Sequence, residues 1–82
     1  MDSKWLEDFL ALIDTGGFSR AADKRTISQP TFSRRIRSLE QWVGATLVDR
    51  STHTMRLTPA GESFRAVAEA TLRRLELGRE EA

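Results

Sequence analysis

Trp5, Leu6, Phe9, Leu10 and Ile13 recur at i, i+1, i+4, i+5 and i+8, which gathers them on one face of a helix and leaves Glu7, Asp8 and Asp14 on its outer side. Asp2 or Ser3 caps the start, and Gly16-Gly17 ends it. Aromatics set among aliphatics at this spacing, Trp5 and Phe9 here, read as core and not as base-stacking groups. Ser19, preceded by Phe18, offers a second N-cap. The run RAADKR behind it makes a short helix whose Ala21 and Ala22 let a neighbouring helix approach closely.

The stretch TISQPTFSRRIRSLE predicts a third helix with two unlike faces. Ser28 is its N-cap, and Pro30 sits in the first turn, where its missing N–H has no intrahelical partner to lose. Ile27 and Phe32 stand at the spacing of a hydrophobic staple, which fixes the angle at which the chain enters the helix. Phe32, Ile36, Leu39 and Val43 continue as an apolar stripe until Gly44 stops it. Pro30, Arg34, Arg37 and Gln41 then project from the far side, with Thr31 and Ser33 on the flanks.

Past Gly44 the pattern changes. TLVDR and MRLT are short and β-branched, and the polar residues Ser51 to Thr54 separate them, which predicts a small hairpin leaning on the helices. Thr58-Pro59, with Glu62 in the first turn, announces a fourth helix carrying Phe64, Val67, Ala68, Leu72 and Leu75. The resulting fold is mainly α: a winged helix-turn-helix over residues 1–58, then a long linker helix over 59–82. Phe64, Val67, Ala68, Thr71, Leu72 and Leu75 offer more apolar surface than one small core needs, so this helix is expected to form a homodimer; the alternative is that it only packs across its own domain.

Composition narrows the chemistry. Eighty-two residues suit one domain with a single core, and the absence of cysteine excludes disulfides, thiolate metal sites and cysteine nucleophiles. No stretch approaches the roughly 18 apolar residues of a membrane span, and the acidic start is unlike a signal peptide, so a cytoplasmic, nucleoid-associated protein without a membrane partner is expected. Net charge is only +1, but it is unevenly spread. Residues 1 to 14 set Lys4 against Asp2, Glu7, Asp8 and Asp14, whereas residues 19 to 38 set Arg20, Lys24, Arg25, Arg34, Arg35 and Arg37 against Asp23 alone. Such a cluster is either a face for a polyanion or a solvated helix surface.

A second helix presented by a short turn is the geometry that enters the major groove of DNA. Its leading residues, Ser28, Gln29, Pro30, Thr31, Ser33 and Arg34, are placed to reach base edges, with Gln29 suited to adenine and Arg34 to guanine. Arg20, Lys24, Arg25, Arg35 and Arg37 are expected at phosphates, while His53 and Arg56 in the hairpin reach the backbone or minor groove. Ser28 also reads simply as a cap, Ser33 as a surface hydroxyl, and His53 as an exposed loop residue. A lone histidine leaves no metal cluster, no cofactor motif occurs, and no G-x-S-x-G, H-E-x-x-H, phosphate-binding loop or catalytic triad spacing points to an enzyme. Two alternatives are a winged-helix protein-interaction module, for which larger apolar anchors are expected on that face, and an RNA binder, disfavoured because the A-form major groove is too narrow.

FSRAAD, then ISQPTFSRRIRSLEQWVGATLVDR, then LTPAGE, resemble the DNA-binding domain of the bacterial LysR-type transcriptional regulators, from about Trp5 through the fourth helix. The resemblance implies a winged helix-turn-helix that binds double-stranded promoter DNA as a dimer, or as a tetramer built from dimers, with the fourth helix as the dimerising linker. It implies DNA contacts at Gln29, Pro30, Thr31, Ser33 and Arg34, and in the wing at Thr52, His53 and Thr54. The family normally continues into an effector-binding domain, which this chain lacks, so effector sensing is expected only through that domain. Arg25 stands where the family often has leucine, Thr31 where alanine is common, Val48 where phenylalanine is common, and His53 in a wing often richer in arginine and glycine.

Overall fold

The computed structural model describes residues 1–51 and 54–81. Its elements are α1 (Ser3–Thr15), α2 (Phe18–Arg25), α3 (Gln29–Val43), β1 (Val48–Asp49), β2 (Arg56–Leu57) and α4 (Pro59–Glu81), which together make a winged helix-turn-helix with a long final helix. The two strands pair antiparallel, Val48 opposite Leu57 and Asp49 opposite Arg56. They are much shorter than the β-branched runs around them, and Leu47 and Val48, just before and at the start of β1, are buried in the core.

Local capping sets the helix boundaries. The Asp2 side chain accepts from the Lys4 N–H at 2.9 Å, and the Ser28 hydroxyl accepts from the Thr31 N–H at 3.3 Å. Gly16 and Gly44 close α1 and α3 in the left-handed conformation that glycine tolerates. The second helix differs from the expectation: Gly17, not Ser19, is the N-cap, and it supplies no side-chain bond. Phe18 is therefore the first helical residue, and its ring meets Phe32 edge-on with centroids 5.9 Å apart. The helix closes on Thr26 at φ 59°, where the Thr26 N–H reaches the Ala22 and Asp23 carbonyls and the Ile27 N–H returns to Ala22.

The core lies where α1, α2 and α3 meet under the start of α4. Phe9, Leu12, Phe32, Ile36, Leu39, Leu47, Val48 and Ala68 are all buried there, so the apolar stripe of α3 faces inward as its spacing predicts. Asp8 corrects the sequence reading: it is 0% exposed, not on the outer side of α1, because arginines from two other helices cover it. Glu40 is likewise buried, at the C-terminal end of α3. No helix among the described residues is long and apolar enough to cross a membrane.

The fourth helix begins inside the core and ends outside it. Thr58 caps it by accepting from the Gly61 N–H at 3.0 Å, while its hydroxyl donates to the Thr46 carbonyl. Gly61 lies against Leu47. Phe64 then packs on Phe9 with ring centroids 5.8 Å apart, and Ala68 is fully buried. These two, expected at a partner interface, instead serve the chain's own core, since one turn of α4 separates them on its inward face. Val67 and Leu77 are more than half exposed on other faces, Leu75 is more than half exposed where the same stripe runs beyond the core, and Thr71 and Leu72 are half-buried.

Candidate nucleic-acid interface

Burial of Phe32, Ile36 and Leu39 turns the opposite face of α3 outward, and on it Ser28, Gln29, Pro30, Arg34, Arg37 and Gln41 are exposed while Thr31 and Ser33 are half-buried. Ser28 does two jobs at once. Besides capping the helix, its hydroxyl bonds the Thr31 hydroxyl at 2.9 Å, which fixes the Thr31 side chain where the first turn meets solvent. A cleft of about 300 Å³ runs from Gly16 and Gly17 past Gln29, Ser33 and Arg37 to the wing, where Arg50 and Met55 close it. The outward face of α3 and the wing therefore border one concave surface.

Ion pairing divides the basic residues into two sets. Lys24 is paired with Asp14, Arg25 with Glu7 and Asp8, Arg35 with Asp8, and Arg50 with Glu40. None of the ion pairs among the described residues involves Arg20, Arg34, Arg37 or Arg56, all of which are exposed. A guanidinium already matched to an internal carboxylate has less to gain from a phosphate than one facing water, so the second set is the better suited to meet a polyanion. Lys24, Arg25 and Arg35, expected at phosphates, are thus turned toward carboxylates of the domain itself.

Arg25 shows what such matching does. Burial disfavours its charge, but the hydrogen bond and field of Asp8, with those of Glu7, more than offset it, so its pKa stands above the ordinary arginine value. Where the family resemblance leads one to expect leucine, this chain places a cation between two carboxylates. The sequence signal was a charge on a face that the neighbouring pattern wants apolar.

The wing is held to α3 by Glu40, whose role sequence reasoning missed. One of its oxygens accepts from the backbone N–H groups of Leu47 and Val48 at 2.8 and 3.2 Å, and the other accepts from Arg50 at 3.0 Å. Arg50 in turn lies over the Phe18 ring, 5.2 Å from its centroid. Farther out, the Ser51 hydroxyl and N–H donate to Asp49 and, with a smaller contribution from Arg56 on the opposite strand, hold that carboxyl below the usual carboxylate range. Thr54 and Arg56 are exposed; Thr52 and His53, two of the expected wing contacts, lie outside the described residues.

Known proteins share this arrangement. Residues 3–62 match the family described as "Bacterial regulatory helix-turn-helix protein, lysR family". The HTH-type transcriptional regulator YjiE of Escherichia coli (strain K12) is 43% identical over 76 residues, covering 93% of this chain and 25% of the relative. Among solved structures, Vibrio fischeri DarR in complex with DNA superposes with a TM-score of 0.96 at 49% identity, over 99% of this chain and 28% of that one. A complex of the BenM DNA-binding domain with its benA site 1 DNA gives 0.92 at 32% identity, over 99% of this chain and 91% of that one. The chain spans about a quarter of the length of the curated relatives it matches. With the family's sequence pattern over most of its length and the family's fold around α3, the chain belongs to the LysR family of bacterial regulatory helix-turn-helix proteins.

Proposed function

We propose that this chain is the DNA-binding domain of a bacterial transcription regulator, with the first turns of α3 in the major groove and the wing, residues 51–54, at the backbone or adjacent minor groove. The observation that carries the reading is the exposed face of α3, where Gln29 and Arg37 line a concave surface shared with the wing and Arg34 is exposed without an ion pair among the described residues. Gln29 and Arg34 read bases, with Pro30, Thr31 and Ser33 packed along the same edges. Arg20, Arg37, Thr54 and Arg56 meet phosphates and fix the register. Arg35 contributes less, since Asp8 holds it. Similar structures solved with DNA support this assignment.

In the same reading, residues 1–58 form the DNA-binding module and 59–82 the linker and dimerisation helix. Val67, Thr71, Leu72 and Leu75 meet a second copy, while Phe64 and Ala68 hold the helix to its own domain. Leu10 and Leu77 extend that apolar surface beside Leu72, rimmed by Glu69, Arg73, Glu76 and Glu80. Two recognition helices related by a twofold axis require a roughly palindromic promoter site, and effector control belongs to the part of such regulators beyond this chain. Selection of bound duplexes from a random pool tests the proposal. Enrichment of an inverted repeat supports it; recovery of unenriched sequence, or better competition by RNA duplex than by DNA, contradicts it.

A further inference from the structure

Of the two buried acidic side chains among the described residues, Glu40 anchors the wing, whereas Asp8 lies on the helix that takes no part in the proposed DNA contacts. Both of its oxygens are nonetheless engaged by other helices. Oδ1 accepts from Nε of Arg25 on α2 at 2.7 Å, Oδ2 accepts from Nη1 of Arg35 on α3 at 3.4 Å, and Nη2 of Arg25 also reaches Glu7 at 2.8 Å. One carboxylate therefore ties all three helices of the reading unit together.

We propose that Asp8 is a positioning residue for sequence recognition: through Arg25 and Arg35 it fixes how α2 and α3 sit on α1, and hence the angle at which the first turns of α3 meet base pairs. The inference rests on the reading of α3 given above. Its physical basis is direction. The fully buried residues of α2 are only Ala21 and Ala22, small groups whose apolar contact is non-directional, and Phe18, packed on Phe32, holds the helix at its N-terminal end alone, so the Arg25 end is oriented by its carboxylates. Guanidinium-carboxylate bonds have defined geometry, and a buried ionic group is best justified as a device that sets register. Two acids and two guanidinia also cancel, so the cluster as a whole adds no net attraction for DNA. Its cost is met by what it orients.

The test uses the 82-residue chain and two duplexes of equal length, one selected by that chain from a random pool and one scrambled. Asp8→Asn keeps the shape and removes the charge. The expected result is a lower thermal midpoint and a fall of about tenfold in the ratio of selected to scrambled affinity, comparable to losing one good base contact. Affinity for the scrambled duplex should hold or rise, with a salt dependence as steep or steeper, because Arg35 is released to the polyanion. The double variant Asp8→Leu/Arg25→Leu separates positioning from stability: apolar replacement should recover most of the midpoint, yet discrimination should stay low. Recovery of both, or an unchanged ratio in Asp8→Asn, would overturn the proposal. An unaltered chain that binds both duplexes alike would instead sink the reading of α3, and this inference with it.

Discussion

Gly61 stands so close to Leu47 that a Cβ built on it would lie 2.1 Å from the Leu47 carbonyl oxygen. That carbonyl is held in place by the Thr58 N–H, from which it accepts at 3.0 Å, and the same added Cβ would also lie 3.2 Å from the Leu57 Cβ. The first turn of α4 is thereby pressed against the chain just before β1, which locks the wing to the helix behind it.

Gly61→Ala should consequently destabilise the domain by about 2–3 kcal/mol, although alanine is the better helix former. Denaturant unfolding measures it. A stability equal to or above that of the unaltered chain would mean that the backbone separates at little cost.

Glu40→Ala should remove about 2–4 kcal/mol, since it leaves the Leu47 and Val48 N–H groups and Arg50 without their shared acceptor. Glu40→Gln, which keeps an acceptor but loses the charge, should cost less. Amide exchange at Leu47 and Val48 reports the site directly: protection falls in Ala and is partly kept in Gln.

Thr26 is the only non-glycine residue of positive φ among the described residues, at 59°. A β-branched side chain pays strain there that glycine does not, so Thr26→Gly should raise stability by about 1 kcal/mol, a shift of roughly 4–8 °C in the thermal midpoint. A lowered midpoint would show that the Thr26 side chain contributes more than its backbone loses.

The two ends of the α4 apolar stripe should respond oppositely to charge. Leu75→Glu, on a surface 52% exposed, should leave the fold intact and shift sedimentation toward monomer, whereas Ala68→Glu, at 0% exposure, should unfold the chain. A dimer unaffected by Leu75→Glu would place the partner surface elsewhere.

Local signals made much of the fold legible in the sequence. Ser28, Pro30 and Gly44 act through backbone geometry within a turn of themselves, and the stripe from Phe32 to Val43 repeats at the helical period, so α3 and its outward residues could be placed without knowing their surroundings. Asp8 could not, because what buries it arrives from Arg25 and Arg35, 17 and 27 residues away. Ala68 and Val67 are both apolar neighbours in sequence; only the position of α1 decides that the first is core and the second exposed. Gly61 did carry a signal, a glycine inside a helical pattern, whose meaning is the close approach of another backbone. At α2, Ser19 looked like the cap because its residue type suits one, but the packing of Phe18 on Phe32 draws the helix start back to Gly17.

Base reading by the exposed face of α3 is tested most directly by salt titrations of Arg34→Ala and Arg37→Ala on selected and scrambled duplexes. Arg34→Ala should lose about 1–3 kcal/mol on the selected duplex and little on the scrambled one. Arg37→Ala should weaken both alike and flatten the slope of log affinity against log salt by about 0.9. Equal losses on both duplexes for Arg34→Ala, with the same change of slope as Arg37→Ala, would contradict base reading at this face and leave only attraction to the phosphate backbone.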